Sequence, residues 1–198
     1  MCGRFTLAAD PSQIREAFPF VSVPEETPRR YNVAPSQPIA VVPNDGKNRL
    51  DYFVWGLIPF WAKDPEIGNR MINARAETLA EKPAYRAAFR RRRCLVLADG
   101  FYEWKQIPGR KVKEPIYFRL KNGKPFAFAG LWEIWNSADG SQVLSCAIIT
   151  TQPNALVTPV HNRMPVILTP EAYPAWLDPG EKNPDELSGL LASYPAEQ

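Results

Sequence analysis

Short runs rich in β-branched and aromatic residues, separated by turn dipeptides, constrain the fold of this chain more than any other feature. They predict strands at 39–42, 50–57, 94–98, 101–106, 115–120, 126–135, 143–150 and 164–168. Between them lie the turn pairs Asp99-Gly100, Pro108-Gly109, Asn122-Gly123 and Asp139-Gly140, which predict consecutive hairpins. Such a chain is expected to curl a sheet around a core.

Helices are predicted at three places. Asp10 followed by Pro11 is typical of an N-cap and first helical position, which predicts a helix at 11–18. Two more are predicted at 83–92 and, after Thr169 as N-cap, at 170–176. The predicted fold class is therefore α+β, a barrel-like antiparallel or mixed sheet with flanking helices. At 198 residues the chain suits a single domain over 2–198, with Met1 expected to be removed.

Composition excludes several classes of protein. A hydrophobic content of 45% argues against disorder, and no apolar run approaches the roughly 20 residues of a membrane helix. No secretory signal is visible, so we expect a cytoplasmic protein. Cys2, Cys94 and Cys146 are odd in number and lack CxxC spacing, so we expect no disulfide framework, metal or cofactor. The net charge of +3 permits an acidic partner without requiring one.

Cys2 is the first candidate for chemistry. Once Met1 is removed, Cys2 carries an α-amine and a thiol on adjacent carbons, with ordinary pKa values of about 8 and about 8.5. An aldehyde forms an imine with such an amine, and the thiol then closes a thiazolidine ring. The alternative is that Cys2 is a small buried hydrophobic residue near the terminus.

Glu103 lies between aromatic residues in the segment 99–104. It is either a general acid and base whose pKa is raised by apolar surroundings, or a solvent-facing residue of an alternating strand. Regular alternation places Glu103 and Trp104 on opposite faces, so both line one pocket only if the strand bends, bulges or ends there.

Two further segments carry polar candidates. His161 is the only histidine, and is either a proton shuttle or a surface residue. If residues 71–77 are extended, Asn73, Arg75 and Glu77 project from one face and form a row suited to an anionic substrate. The alternative for that row is an exposed edge strand.

Basic and aromatic residues give weaker signals. On the predicted helix Arg86, Arg90 and Arg93 share one face, which is typical of a solvated surface and is weak evidence for nucleic acid. Tyr85 and Phe89 share another face that can be buried. Trp55, Pro59 and Trp61 are either core residues or planes on which bases stack, and Trp55 is expected in the core.

Six motifs in order resemble the SOS response-associated peptidase (SRAP) family. They are Met-Cys-Gly-Arg-Phe at 1–5, Tyr-Asn-Val-Ala-Pro at 31–35, Trp-Gly-Leu-Ile-Pro-Phe-Trp at 55–61, Ile-Asn-Ala-Arg-Ala-Glu-Thr at 72–78, Ala-Asp-Gly-Phe-Tyr-Glu-Trp at 98–104 and His-Asn-Arg-Met-Pro at 161–165. The resemblance implies a sensor of abasic sites in single-stranded DNA that links covalently to the sugar aldehyde, with possible lyase and self-processing activity. The expected partner is single-stranded DNA, and we expect a monomer.

The resemblance also implies residue roles. Cys2 is the nucleophile, Glu103 the acid and base, Asn73 the residue that holds the Cys2 terminus or the opened sugar, and His161 a proton donor in sugar opening or strand scission. The implied DNA contacts are Arg4, Arg75 and Arg163 with phosphates, Trp61, Trp104 and Pro35 with bases or the sugar, and Thr150 in the pocket wall.

Two departures from the family pattern affect these expectations. Ala62 follows Trp61 where some relatives have a second tryptophan, and some relatives continue beyond the position of Gln198. Two other functions stay open at this point. One is a cysteine or N-terminal-nucleophile peptidase, with His161 or the amine of Cys2 as the base. The other is a noncovalent DNA-binding module.

Overall fold

The computed structural model describes residues 2–198, in which short strands outnumber helices. The strands are β1 (Arg4–Leu7), β2 (Arg30–Val33), β3 (Pro38–Pro43), β4 (Asp51–Trp55), β5 (Asn73–Arg75), β6 (Arg93–Ala98), β7 (Gly100–Lys105), β8 (Glu114–Phe118), β9 (Phe126–Asn136), β10 (Gln142–Thr151), β11 (Met164–Pro165) and β12 (Ile167–Leu168). The α-helices are α1 (Pro11–Ala17), α2 (Arg86–Arg91), α3 (Tyr173–Leu177) and α4 (Pro184–Ser188). Short 3₁₀ turns occupy Pro65–Arg70, Ala76–Thr78 and Pro170–Ala172.

Five strands close into a barrel in the order β10-β4-β3-β6-β9, because β9 also pairs with β10. The β10–β4 pair is parallel and the other four pairs are antiparallel. Closure leaves these five strands without a free edge. The predicted α+β class with a curled, mixed sheet in a single domain is confirmed.

The inside of the barrel is aromatic and apolar. Phe53 of β4 and Trp132 of β9 belong to strands that are not neighbours, yet their ring centroids are 5.6 Å apart, so both point into the barrel. The fully buried Trp55, expected in the core, lies in the same cluster. The rest of this interior cluster includes Ile39, Val41, Val96, Phe128, Cys146 and Ile148.

A second apolar cluster covers the outside of the barrel. Leu95 and Leu97 of β6 point outward and pack under the helices, which contribute Ile14, Phe89 and Trp176. α1 begins as the sequence predicts, since the Asp10 side chain accepts from the Gln13 backbone N–H and the Gln13 side chain accepts from the Asp10 N–H. At β6 the barrel wall is thus buried on both faces.

A separate four-stranded sheet, ordered β2-β1-β7-β8, packs one face against the barrel interior. Phe5 of β1 contacts Trp55 with ring centroids 5.2 Å apart, and Phe101 of β7 contacts Phe128 at 6.0 Å. β1 pairs with β7 in a register that places Arg4 opposite Tyr102. This sheet brings the start of the chain beside β7.

Two of the four predicted hairpins are wrong. The pairs at 108–109 and 139–140 join antiparallel neighbours, β7–β8 and β9–β10. The Asp99-Gly100 pair instead carries the chain from the barrel to the small sheet, because the Asp99 carboxylate accepts from the backbone N–H groups of Ala8 and Ala9 at 2.6 and 2.8 Å and from Thr6 Oγ1. The Asn122-Gly123 pair joins β8 to β9, which belong to different sheets.

Other elements differ from the sequence pattern in detail. The strand predicted at 164–168 is split into β11 and β12, because Val166 donates to Ile149 O and accepts from Ala129 N. β1, β2 and α4 were not predicted. The row at 71–77 is extended only over β5, after which the chain turns into 3₁₀ geometry. Within 2–198, none of the helices has the length and apolar character needed to cross a membrane.

Candidate active site around Cys2

Cys2 lies just before β1 and is fully buried, as the hydrophobic interpretation of this residue expects. It is nevertheless held by a polar contact, since Asn73 Nδ2 donates to the Cys2 carbonyl oxygen at 2.9 Å. Asn73 Oδ1 is buried and accepts no hydrogen bond from the described residues 2–198. The Asn73 amide therefore has an acceptor available next to the residue that carries the thiol.

Asn73 is positioned by the barrel. It begins β5, which pairs in parallel with β10 so that Asn73 lies opposite Ile148. Trp55 Nε1 donates to the Ile72 carbonyl at 2.9 Å, and the Tyr85 hydroxyl donates to the Asn73 carbonyl at 3.2 Å. Burial raises the pKa of Tyr85 to about 12, so this hydroxyl stays a donor near neutral pH. The main chain at Asn73 is fixed from both sides.

Glu103 points into the protein, and its solvent-facing interpretation is wrong. It is 1% exposed on β7, on the same face as the buried Phe101. Since Arg4 pairs opposite Tyr102, Cys2 lies beside the part of β7 that carries Glu103. Burial raises the pKa of the Glu103 carboxyl, and His161 opposes this effect. Burial first, and then the charge of Glu103, raise the pKa of the Cys2 thiol.

His161 completes this group of side chains from the loop between β10 and β11. Its Nε2 is 4.0 Å from Glu103 Oε2, and its side chain is 25% exposed against 2% for Glu103. The backbone N–H of Arg163 donates to His161 Nδ1 at 3.0 Å, which turns the other ring nitrogen toward Glu103. His161 is thus neither a fully exposed surface residue nor a core residue, and it stands at the rim of the site.

Arg163 and Thr150 lie behind His161 in the protein. The buried Arg163 guanidinium binds Glu77 through two hydrogen bonds of 2.6 and 2.9 Å and donates to the Thr150 carbonyl at 2.6 Å. Hydrogen bonding to Arg163 lowers the pKa of Glu77. Thr150 is fully buried on β10 opposite Pro165. These contacts pin the 161–163 turn to β10.

The remaining predicted DNA contacts lie around this centre at different degrees of exposure. Arg75 at the end of β5 is exposed, and Trp61 is 50% exposed in the segment after β4. Pro35 is half-buried in a turn whose next residue donates its N–H to the Trp55 carbonyl. The β7–β8 register runs without a bulge, so Trp104 lies on the opposite face of β7 from Glu103. Glu103 and Trp104 do not line one pocket.

Tyr85 and Glu77 are the site residues that sequence reasoning missed. Tyr85 was predicted only as part of an apolar helix face, and Glu77 only as a member of a polar row. Their roles depend on partners 12 and 86 positions away in the chain, and no local pattern indicates such contacts.

The closed mixed barrel buries Cys2 beside Glu103, and distant segments add Asn73 and His161. This combination defines a class of single-domain proteins whose site is built around a cysteine near the chain start. The chain belongs to the SOS response-associated peptidase (SRAP) family, whose family model matches residues 1–198.

Two curated relatives from Bacillus subtilis cover the whole chain, and a vertebrate relative covers part of it. The chain is 51% identical over 201 residues to the abasic site processing protein YoqW of Bacillus subtilis (strain 168). That alignment covers 100% of this chain and 89% of YoqW. It is 49% identical to the abasic site processing protein YobE of the same organism, covering 100% and 91%. The abasic site processing protein HMCES of Xenopus tropicalis is 37% identical over 148 residues, covering 64% of this chain and 44% of that protein.

Solved structures share the architecture. A protein from Bacteroides thetaiotaomicron matches with a TM-score of 0.89 at 27% identity, covering 99% of this chain and 89% of that chain. A phage-related protein from Bordetella bronchiseptica matches with a TM-score of 0.74 at 30% identity, covering 96% and 87%. The barrel with its attached small sheet is therefore an architecture found in experimental structures.

Proposed function

We propose that this protein senses abasic sites in single-stranded DNA and links to them covalently through Cys2. The observation that carries the proposal is the contact between Asn73 Nδ2 and the Cys2 carbonyl, which holds the first residues of the chain beside the buried Glu103. The names of the relatives support DNA containing abasic sites as the substrate class. The protein acts as a monomer in this proposal.

The reaction needs the free α-amine of Cys2, so removal of Met1 comes first. The amine adds to the ring-opened sugar aldehyde, a C–N bond forms, and loss of water gives an iminium ion. The Cys2 sulfur then attacks the iminium carbon and gives up its proton. Aldehyde, amine and thiol are thereby converted into one thiazolidine and one water molecule, with no oxidant or metal required.

Glu103 moves the protons in both steps. Its raised pKa lets the carboxyl hold a proton for the departing hydroxyl group, and the carboxylate that remains is basic enough to accept the thiol proton. The Cys2 thiol needs such a base because burial keeps it protonated near neutral pH. One residue therefore serves as acid and then as base, and is regenerated.

His161 and Asn73 act around this exchange. His161, at 4.0 Å from Glu103 and partly exposed, donates a proton to the sugar oxygen during ring opening and supports strand scission as a side reaction. Asn73 Oδ1 accepts from the freed amine while Nδ2 keeps its bond to the Cys2 carbonyl. Self-processing of Met1 would use the same cysteine.

The DNA strand lies around this centre in the proposal. Arg4 and the exposed Arg75 contact phosphates, and Trp61 and Pro35 pack against bases or sugar on one side. Trp104 contacts a base from the outer face of β7, and Thr150 backs the pocket. Arg163 reaches a phosphate only by exchanging a bond to Glu77.

Intact mass spectrometry with a single-stranded oligonucleotide that contains one abasic site tests the proposal. We expect loss of Met1 and a heat-stable adduct on the N-terminal peptide. Cys2→Ser should abolish the stable adduct, whereas Cys146→Ser, which removes another buried cysteine, should keep it.

An adduct that persists in Cys2→Ser would exclude the thiazolidine mechanism. Multiple turnover of peptides by the same preparation would favour the peptidase instead. Binding to DNA that survives Cys2→Ser without any adduct in the parent protein would favour a noncovalent module.

A further inference from the structure

The outer face of the four-stranded sheet, which turns away from the barrel, carries a group of aromatic rings. Tyr102 and Trp104 of β7 alternate with the buried Phe101 and Glu103, so they share this face. Tyr117 of β8 pairs opposite Tyr102 and is 42% exposed. We call Tyr102, Trp104 and Tyr117 the outer platform.

Two rings of the outer platform, those of Tyr102 and Tyr117, are held in place by their neighbours. The ring centroids of Tyr102 and Tyr117 are 4.9 Å apart with an interplanar angle of 41°. Tyr117 lies over Gly100, where a Cβ atom would stand 2.2 Å from the tyrosine hydroxyl, so only glycine leaves room for the ring. The same hydroxyl is 2.9 Å from Thr6 Oγ1. Rings held in this way lose little conformational entropy when a flat ligand stacks on them.

The charge around the outer platform is mainly positive, with Asp99 near Tyr117 as an acidic exception. Arg4 lies opposite Tyr102 on the neighbouring strand, and the exposed Arg119 follows β8 directly. The hairpin that joins β7 to β8 is exposed and carries Lys105, Arg110, Lys111 and Lys113, against the single acidic residue Glu114. Aromatic planes bordered by arginine and lysine match the bases and phosphates of a single strand.

The outer platform lies close to Cys2 along the chain, although it is on the opposite face of β7 from Glu103. Cys2 precedes Arg4 by two residues, about 7 Å along an extended chain. A strand bound with its lesion at Cys2 is therefore within reach of Arg4 and of the neighbouring Tyr102. We infer that the outer platform stacks unpaired bases of the DNA that flanks the lesion, an inference that rests on the proposed function for its choice of ligand.

Equilibrium binding of undamaged single-stranded oligonucleotides tests the inference apart from the covalent step. Tyr102→Leu should weaken binding of an oligonucleotide of about twelve nucleotides roughly tenfold, since stacking of each base on an aromatic ring contributes substantially to affinity. An oligonucleotide of about three nucleotides, too short to reach beyond the site, should bind both proteins alike.

Control variants separate stacking from a change in folding. Tyr102→Phe keeps the ring and should bind as the parent does. Tyr52→Leu removes a tyrosine of comparable exposure, 37%, from β4 of the barrel and should also bind normally. Arg119→Gln should lower the slope of log affinity against log salt by about 0.7, because one phosphate contact is lost.

Unchanged binding by Tyr102→Leu, or an equal loss with both oligonucleotide lengths, would overturn the inference that the outer platform stacks bases. Either result leaves the covalent proposal standing if the adduct still forms on DNA with an abasic site. A parent protein that forms no adduct but shows the length-dependent loss in Tyr102→Leu would keep the platform and remove the covalent mechanism.

Discussion

β6 and β7 follow each other in the chain, yet they are buried in different ways. Every residue of β6 is buried, since one face fills the barrel and the other lies under the helices. β7 buries one face only, and that face includes Glu103. Both faces of β6 therefore contribute to stability. β7 instead directs a carboxylate inward and aromatic rings outward.

This difference indicates where the protein tolerates a destabilising buried group. A buried carboxyl with a raised pKa lowers stability near neutral pH, so it must be supported by a structure that is stable without it. The closed barrel provides that support, because each of its five strands pairs with a neighbour on both sides. Variants in the two regions should therefore separate stability from chemistry.

Leu95→Ala should give the largest effect, on stability alone. Leu95 is fully buried on the helix-covered face of β6, and its truncation leaves a cavity. We expect a loss of about 2–5 kcal/mol in the free energy of unfolding, measured by urea denaturation. Adduct formation per folded molecule should not change, and a selective loss of adduct would break the separation between the two regions.

Glu103→Gln should mainly affect the rate of adduct formation. We expect adduct formation to slow roughly a hundredfold at saturating DNA, since general acid and base catalysis is lost. Gel assays of adduct against time measure the rate. A rate within twofold of the parent would mean that Glu103 takes no part in proton transfer.

The same variant predicts a change in how stability depends on pH. The pKa of Glu103 is raised in the folded state, so its contribution is fully present below the unfolded value of about 4.3 and is lost as pH rises through the folded pKa. Glu103→Gln lacks this loss. Relative to the parent, the variant should become more stable from pH 4 to pH 7, as measured by urea denaturation.

Glu77→Gln tests the 161–163 turn, where two hydrogen bonds to Glu77 hold Arg163 in place. Removing the carboxylate leaves a buried guanidinium with fewer partners, and because the Glu77 side chain is 44% exposed we expect a cost of about 1–2 kcal/mol. The pKa of Glu77 is lowered in the folded state, so its contribution is present above about pH 4.3 and is lost at lower pH. Urea denaturation at two pH values measures both effects, with the exposed Glu26→Gln as a control that should change neither.

Lys124→Gln should give the smallest effect. The Lys124–Glu16 pair is short, 2.8 Å, but its side chains are 58% and 69% exposed, so water screens the attraction. We expect a change in the free energy of unfolding that is too small for urea denaturation to resolve. A larger loss would show that the surface of this domain contributes to stability as the barrel does.

Local pattern predicted most of the barrel but only β7 and β8 of its partner sheet. β6, β9 and β10 are long apolar runs, and their existence follows from composition alone. β1 and β2 are short and become strands because β7 pairs with β1 and β1 with β2. Asp99-Gly100 has the composition of a hairpin turn, but the backbone donors that Asp99 binds come from residues 8 and 9, which local sequence does not place nearby.

The site shows the same division. The motifs identify Cys2, Asn73, Glu103 and His161 as candidates, but the alternation of β7 has apolar residues on both faces and leaves the direction of Glu103 undecided. Only the packing of Phe5 and Phe101 against the barrel interior makes that face the inner one. The sequence by itself determined which residues are candidates for the chemistry, because side-chain type and order are local. The tertiary structure decided which of them meet, and at what pKa, because burial and proximity depend on how the two sheets pack.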